Sequence, residues 1–178
     1  AGFGRRSMKC SENEIISIVQ YQMAALDGMA RSLGLDIEYV KPHGALYNDM
    51  MANQSVRAAI MRAVATYYRP VILMLQATAD AEQHKCEAEE LGISLWFEAF
   101  ADRCYDDDGK LLSRAKPGAV HSREKMLEQV EQLCAEQSVT TVSGKVLPLQ
   151  ADTLCVHGDN IEGVQAIQEI RRRVGAAA

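Results

Sequence analysis

Two kinds of apolar pattern alternate along this sequence, and the alternation restricts the chain to a small set of folds. Residues 71–75, 93–100 and 153–156 are short apolar runs, typical of strands that are buried on both faces of a sheet. Between them lie stretches whose apolar residues recur at helical spacing. Because strands that alternate with helices form parallel βαβ units, the sequence predicts an α/β fold.

The predicted elements follow the order α-β-α-β-α-β-α-(ββ)-β-α. The first helix is predicted to begin at Ser11, which forms a capping box with Glu14, and to end at Gly34. Residues 101–119 have turn chemistry and no apolar period, which indicates a long and therefore functional or disordered loop. The predicted strands are residues 37–40, 71–75, 93–100, 139–142, 146–149 and 153–156, and the other helices are residues 56–67, 78–91, 122–136 and one capped by Asn160.

Composition and charge argue against several functional classes. The 178 residues, 48% hydrophobic and 24% charged, are expected to form one domain over residues 1–178. A net charge of -5 argues against a nucleic-acid partner. No apolar run approaches the ~18 residues that span a bilayer, so no membrane association is expected. The five cysteines form no CxxC pair, which favours reduced thiols and a cytoplasmic location.

Ionisable side chains follow three of the four predicted parallel strands. The first strand leads into residues 41–48, which read KPHGALYN. The third carries Glu98 and leads into Asp102 and Arg103, and the last leads into residues 157–160, which read HGDN. Because ligands of parallel α/β folds bind beyond the carboxyl ends of the strands, we expect these groups to share one rim. Groups that converge in this way perturb one another's pKa values, as at functional sites.

Structural explanations compete with functional ones at several of these positions. Lys41 and Glu98 could form a structural ion pair at the end of the sheet. His43 could be a turn residue bonded to the backbone. Asp159 could help to cap the last helix, although Asn160 fits that position better. A glycine turn into a helix N-terminus, as at residues 158–160, also favours an anionic ligand, but this signal alone is weak.

The sequence contains no recognised nucleotide-binding motif. Ser143, Gly144 and Lys145 resemble the end of a phosphate-binding loop, but Val139 stands where that motif needs a glycine. Neither GxGxxG nor a nucleophile elbow occurs. Any dependence on ATP is therefore expected to come from another chain.

Four longer motifs occur in order along the chain. Residues 2–6 read GFGRR, and residues 40–48 read VKPHGALYN. Residues 98–103 read EAFADR and are followed by a Y…DG…L…R…PGA pattern that ends at residue 119. Residues 155–159 read CVHGD. In this order the four motifs resemble those of the LamB/YcsF family, the group that contains the A subunit of 5-oxoprolinase, and together they are far more specific than any one short motif.

The resemblance implies both a fold and an activity. The fold it implies is a seven-stranded (β/α) barrel of the glycoside hydrolase/deacetylase-like type. The activity it implies is the ATP-dependent opening of the lactam 5-oxo-L-proline to L-glutamate, with separate 5-oxoprolinase subunits B and C as partners and ATP bound with those partners. The family's opening motifs, D-x-N-x-D-x-G-E, A-N-x-A-C-G-F-H-x-G-D and G-A-H-P, do not occur in this sequence. We therefore expect a partial barrel, whose exposed strand edges would favour association of the chain with itself.

The strand-end residues can be given roles in such a reaction. A histidine would carry the proton and an aspartate would orient it or activate water. Cationic groups would bind the carboxylate or phosphoryl charge, and the tyrosine and asparagine would bond the substrate amide. The catalytic candidates are His43, His157, Asp159, Glu98 and Asp102, and the substrate-binding candidates are Lys41, Tyr47, Asn48 and Arg103.

Two other functional classes remain open at this point. The first is a metal-dependent amide or sugar deacetylase-like hydrolase, with ligands from His43, Asp102, His157 and Asp159, although no compact metal-binding spacing supports it and no metal site is assigned. The second is a non-catalytic subunit of an amide-hydrolysing complex, which only shapes its partners' site.

Overall fold

The computed structural model describes residues 2–177, and its helices and strands follow the predicted order apart from one additional helix, Ala45–Ala52. A short 3-10 turn, Gly2–Gly4, comes first. The helices are α1 Glu12–Ser32, α2 Ala45–Ala52, α3 Gln54–Ala65, α4 Ala81–Glu89, α5 Arg123–Glu136 and α6 Ile161–Ala177. The strands are β1 Tyr39–Val40, β2 Ile72–Gln76, β3 Leu95–Phe100, β4 Ser138–Thr140, β5 Val146–Pro148 and β6 Thr153–Cys155. Within residues 2–177, no helix combines the length and the apolar character needed to cross a membrane.

Contacts between Cα atoms divide the chain into two compact units. Unit 1 contains Ala1–Gln76 and Glu82–Trp96. Unit 2 contains Ala77–Ala81 and Phe97–Ala178. That residues 1–178 form a single domain stays a prediction.

Each unit contains a pair of parallel strands. In unit 1, β1 pairs with β2 in parallel, with Val40 opposite Leu73. In unit 2, β3 pairs with β6 in parallel, with Phe100 opposite Cys155. The predicted α/β class is confirmed, whereas the seven-stranded barrel type stays a prediction.

The first α-helix of unit 1 begins where the sequence predicts. The hydroxyl of Ser11 accepts a hydrogen bond from the Glu14 amide at 3.4 Å, and the Glu14 carboxylate accepts one from the Ser11 amide at 2.7 Å. This reciprocal pair is the predicted capping box. The helix that follows, α1, packs against α3, and its buried apolar residues are Ile15, Val19 and Met23.

Unit 2 is held together by a core between α5, α6 and the end of β3. Its buried residues are Ala101, Met126, Leu127, Val130, Ala166 and Ile170. A side chain at Gly163 would place its Cβ 2.8 Å from Val156 Cγ1, so glycine allows α6 to approach the segment that follows β6. The predicted hairpin is confirmed: β4 and β5 pair antiparallel, with Val139 opposite Leu147.

Helix α2 is the element that the sequence pattern does not predict. It has eight residues, so it shows little more than two turns of apolar period. Gly44, with φ of 63°, precedes it, and Asn53 separates it from α3 by accepting hydrogen bonds from Ser55 N and Val56 N. Tyr47 and Asn48 therefore lie on a helix.

A buried carboxylate ties α1 to the segment that follows α3. Asp27 is only 2% exposed, Arg69 Nη2 donates to its Oδ1 at 2.7 Å, and the hydroxyls of Tyr67 and Tyr68 donate to its Oδ2. The Arg69 hydrogen bond, helped by Tyr68, holds the pKa of Asp27 well below its usual range even though burial acts in the other direction. Burial, and then the bond to Asp27, raise the pKa of Tyr67 to about 12.

Replacement of Asp27 by Asn is expected to flatten the acid side of the stability profile. A carboxyl group whose folded pKa is lowered stabilises the fold above its unfolded pKa, near 3.8, and this contribution is lost as the pH falls through the folded pKa. Urea unfolding from neutral pH down to about pH 2 should therefore show a smaller loss of unfolding free energy in Asp27→Asn than in the wild type. The exposed Asp80→Asn is the matched control and should follow the wild type. Equal acid-side slopes in Asp27→Asn and wild type would contradict this role.

Candidate active site

The carboxyl ends of β3 and β6 lie side by side, so the residues that follow the two strands meet. Phe100 and Cys155 are the last residues of these strands and stand opposite each other, and Ala101 N donates to Cys155 O at 2.9 Å. Asp102 and His157 each follow two residues later. The parallel pairing therefore brings both side chains to one rim of unit 2, as expected for parallel strand ends.

Asp102 and His157 form a carboxylate–imidazole pair. His157 Nδ1 lies 2.9 Å from Asp102 Oδ1 and 3.1 Å from Oδ2, and His157 N donates to Oδ2 at 3.3 Å. The Asp102 side chain is 1% exposed and that of His157 is 27% exposed. The imidazole also stacks on the ring of Phe100, with centroids 5.5 Å apart and planes inclined by 19°. The ring is thus held on two sides and remains partly open to solvent.

The charge state of Asp102 determines which nitrogen of His157 is protonated. Burial alone would raise the pKa of Asp102, but the ring and backbone hydrogen bonds and the charge of His157, with a smaller contribution from Asn160, lower it overall. An ionised carboxylate only accepts hydrogen bonds, so Nδ1 carries a proton. In a neutral ring Nε2 is then the acceptor, and no described residue bonds to it. A histidine oriented in this way is suited to general acid–base chemistry.

Asp159, the other predicted acid near His157, is bound to an arginine of the 101–119 loop. Arg114 Nη1 donates to Asp159 Oδ2 at 2.7 Å and Nη2 donates to Oδ1 at 3.4 Å. This bond lowers the pKa of Asp159 and raises that of Arg114. Of the two acids proposed to orient a histidine, Asp102 therefore bonds His157, whereas Asp159 bonds Arg114.

Arg103, a predicted substrate-binding residue, is buried within the loop that it anchors. Its Nε donates to Ala119 O at 3.2 Å and its Nη2 donates to Leu112 O at 2.6 Å. Burial, and then repulsion from Arg114, lower its pKa. These contacts favour a positioning role, and a direct bond from Arg103 to substrate stays a prediction.

The side chain of Asn160, in the turn before α6, caps that helix. Asn160 Oδ1 accepts from Gly163 N at 3.2 Å, so Asn160 is the cap, as the sequence favours over Asp159. Its amide nitrogen lies 3.5 Å from Asp102 Oδ2. Asn160 therefore links the start of α6 to the buried carboxylate, and the anion that the glycine turn could bind would have to displace this cap.

Gln129 is a residue of the site that sequence reasoning missed. From α5 its Nε2 donates to the carbonyls of Phe100, Ala101 and Arg103, at 2.7, 3.1 and 2.9 Å. It is buried, and these three acceptors enclose the turn that carries Asp102. The signal in the sequence is a glutamine one position before the buried Val130, which is weak because glutamine is usually exposed.

His121 completes the support behind the Asp102 turn. Its backbone amide donates to Asp102 O at 3.0 Å, and its Nε2 lies 3.1 Å from Gln129 Oε1. Because an amide oxygen only accepts hydrogen bonds, His121 Nε2 is the donor. Burial lowers the pKa of His121, which favours the neutral ring.

Glu98, the remaining predicted catalytic residue of unit 2, is a buried strand residue. It lies opposite Thr153 in the β3–β6 ladder, and its carbonyl accepts from Ala77 N at 2.9 Å. Burial, to which the charge of Glu98 adds, raises the pKa of the fully buried Tyr105, whose hydroxyl accepts a hydrogen bond from Phe100 N. A catalytic role for Glu98 stays a prediction.

The predicted residues of unit 1 gather where two of the sequence motifs meet. Lys41 Nζ lies 5.6 Å from the centre of the Tyr47 ring. Gly44 packs so closely on the GFGRR segment that a Cβ there would overlap Gly4 O, and His43 Cδ2 lies 3.8 Å from the position of a Cβ on Gly4. Asn48 is exposed on α2. That these residues share one rim with Asp102 and His157 stays a prediction.

The described residues contain no ready-made metal centre. Within residues 2–177, no group of three or more His, Cys, Asp or Glu side chains is arranged to hold a metal ion. The Asp102–His157 contact is a hydrogen-bonded pair, in which the nitrogen nearest to the carboxylate is already used.

Replacement of Gln129 by Met is expected to lower the free energy of unfolding by about 2–3 kcal/mol, because buried carbonyls lose their donor while the side-chain length is retained. Urea unfolding followed by circular dichroism measures this loss. Gln165→Met, at an exposed position of α6, is the matched control and should change the unfolding free energy by less than about 0.5 kcal/mol. Similar values for the two variants would contradict the role of Gln129 in holding the turn.

Comparisons with known proteins show which family the chain belongs to. The model of the LamB/YcsF family matches residues 1–178. The A subunit of 5-oxoprolinase from Chromohalobacter salexigens is 50% identical over 171 residues, which are 96% of this chain and 68% of that protein. The same protein of Pseudomonas fluorescens strain Pf0-1 is 49% identical over 172 residues, or 96% of this chain and 69% of that protein.

A solved structure supports the same relationship at the level of the fold. The crystal structure of a lactam utilization protein from Thermus thermophilus superposes with a TM-score of 0.86 at 31% sequence identity. The match covers 98% of this chain and 70% of that one. The predicted resemblance is confirmed, and the chain belongs to the LamB/YcsF family.

Proposed function

We propose that this chain supplies the acid–base chemistry for hydrolysis of 5-oxo-L-proline to L-glutamate, as the A subunit of an ATP-dependent 5-oxoprolinase. The observation that carries the proposal is the Asp102–His157 pair, whose buried carboxylate fixes Nδ1 and leaves Nε2 for a proton. Relatives named as A subunits of 5-oxoprolinase and a solved lactam utilization protein support the choice of a lactam substrate.

Opening a lactam needs two proton transfers that one well-placed histidine can perform. Nε2 takes a proton from water as its oxygen bonds to the lactam carbonyl carbon, and the Asp102 carboxylate stabilises the resulting imidazolium. Nε2 then gives this proton to the nitrogen of the lactam as the carbon–nitrogen bond of the lactam breaks. The products are the amino group and the new carboxylate of glutamate. Asp102 stays ionised throughout, in keeping with its lowered pKa.

The other predicted residues keep proposed roles around this centre. His43 and Glu98 remain candidates for further proton transfer, and Asp159 acts beside His157. Lys41, Tyr47 and Asn48 are proposed to bind the substrate. Tyr47 is buried and the Lys41 ammonium lies over its ring, which suits a group that holds this cation in position.

ATP dependence is assigned to partner subunits B and C. The sequence has no phosphate-binding loop. At the turn before α6, a nucleotide phosphate would have to displace the side chain of Asn160, which already caps the helix. The steps proposed for this chain therefore do not involve ATP. The relatives are named as one lettered subunit of an enzyme, which supports a multi-subunit assembly.

The barrel type, the self-association and the cellular location of the chain are part of the same proposal. We propose that the parallel strands belong to a seven-stranded barrel of the glycoside hydrolase/deacetylase-like type. Association of the chain with itself and a cytoplasmic location are proposed with it, on the strength of the expected strand edges and the reduced cysteines.

Variants of the acid–base pair should separate a chemical role from a structural one. In the protein purified with its partner subunits, His157→Ala and Asp102→Asn are expected to lower the rate of ATP-dependent glutamate release from 5-oxoproline by about 10²-fold or more. Asp80→Asn makes the same chemical change as Asp102→Asn on an exposed residue and should retain the wild-type rate. Circular dichroism and co-purification with the partners verify that each variant is folded and assembled.

The outcomes distinguish the competing functions. Wild-type rates in both folded variants would overturn the acid–base proposal and favour a non-catalytic subunit. Loss of a stoichiometric bound metal in His157→Ala together with loss of activity would favour a metal-dependent hydrolase. Absence of glutamate release by the wild-type assembly would overturn 5-oxoproline as the substrate.

A further inference from the structure

Arg114 is a solvent-accessible cation in the loop that follows β3. Its guanidinium donates to Asp159 at 2.7 and 3.4 Å, and no other described residue bonds to it. The side chains of Arg114 and Asp159 are 40% and 55% exposed. An exposed ion pair of this kind contributes little to stability, so a competing anion could open it at small cost.

The loop delivers this cation beside the acid–base pair of unit 2. Asp159, its partner, comes two residues after His157. The hydrogen bond that Arg114 donates to Asp159 is the main reason that the pKa of Arg114 is raised, and the negative charge of Asp102 acts in the same direction. Arg114 therefore lies within electrostatic reach of both carboxylates around His157.

Arg103, the neighbouring cation, could bind an anion only if it gave up its hydrogen bonds within the loop. Arg103 uses its Nε and Nη2 to bond the carbonyls of Ala119 and Leu112 and is buried. The bond to Leu112 fixes the loop two residues before Arg114. Arg103 thus positions the loop, and Arg114 is the guanidinium that remains available to a ligand.

We propose that Arg114 binds the carboxylate of the substrate in a bidentate manner, by exchanging Asp159 for it. The inference rests on the proposed function and names a specificity-determining residue for it. A guanidinium matches the planar geometry of a carboxylate. The guanidinium of Arg114 already presents two nitrogens to the carboxylate of Asp159. Asp159 loses its partner in the exchange, but its exposed carboxylate is then solvated by water.

The first test is kinetic and uses the protein with its partner subunits. Arg114→Ala is expected to raise KM for 5-oxoproline about 30-fold while kcat changes less than about threefold, because a charge-assisted contact to a non-reacting group is lost. Arg114→Lys keeps the charge without the fork and should fall between Arg114→Ala and the wild type. Arg171→Ala, on the exposed surface of α6, is the matched control and should leave both constants unchanged. Unchanged KM in Arg114→Ala would overturn the inference, as would a fall in kcat alone.

The second test measures binding and does not depend on turnover. The Nε–H resonance of Arg114, assigned by its disappearance in Arg114→Lys, is expected to shift on addition of 5-oxoproline. The same concentration of 2-pyrrolidone, which has the lactam ring but no carboxylate, should leave it in place. No shift with 5-oxoproline would overturn the site, and a shift of equal size with the same concentration of sodium acetate would show binding of any carboxylate and overturn a specific site for the substrate. A selective shift in a protein that releases no glutamate would retain the site and reject the proposed reaction.

Discussion

The register of β3 against β6 is the constraint on which the candidate site depends. Because Phe100 stands opposite Cys155, Asp102 and His157 leave the sheet after the same number of residues and meet at its edge. A slip of one residue would turn one of the two side chains to the other face of the sheet. The hydrogen bond from Ala101 N to Cys155 O continues this register beyond the strands, and the three hydrogen bonds from Gln129 hold the turn that carries Asp102.

Two buried aspartates show how the partner of a carboxylate decides what the group can do. Asp27 receives hydrogen bonds from Arg69 and two tyrosine hydroxyls, which are donors with no proton-accepting function at neutral pH. Asp102 is paired with His157, whose second nitrogen can still accept a proton. Both carboxyl groups have lowered pKa values because their hydrogen-bond partners outweigh the effect of burial, but only Asp102 orients an imidazole, a side chain that can take up and release a proton.

The sequence predicts those parts of the structure that follow from local chemistry and period. The capping box at Ser11, the hairpin and the parallel strands are predicted because each has a signal within a few neighbouring residues. Helix α2 is not predicted, because eight residues are too few to show a helical period. The strand-end rule brings Asp102 to His157, but it cannot separate Asp102 from Asp159, since burial depends on what α5 and the loop pack against. Gln129 is not predicted either, because its burial also depends on packing between distant parts of the chain.

Arg103 and Arg114 have different roles because their side chains differ in direction and burial. Asp102 turns toward His157, and the next side chain, Arg103, turns into the loop, where carbonyl dipoles stabilise its charge at the expense of hydration. A cation buried in this way is costly to release, which suits a permanent anchor. Arg114 loses little hydration in its pair with Asp159 and can change partners cheaply. A motif that contains both arginines therefore combines one that shapes the loop with one that is free to meet a ligand, and burial rather than distance along the chain distinguishes them.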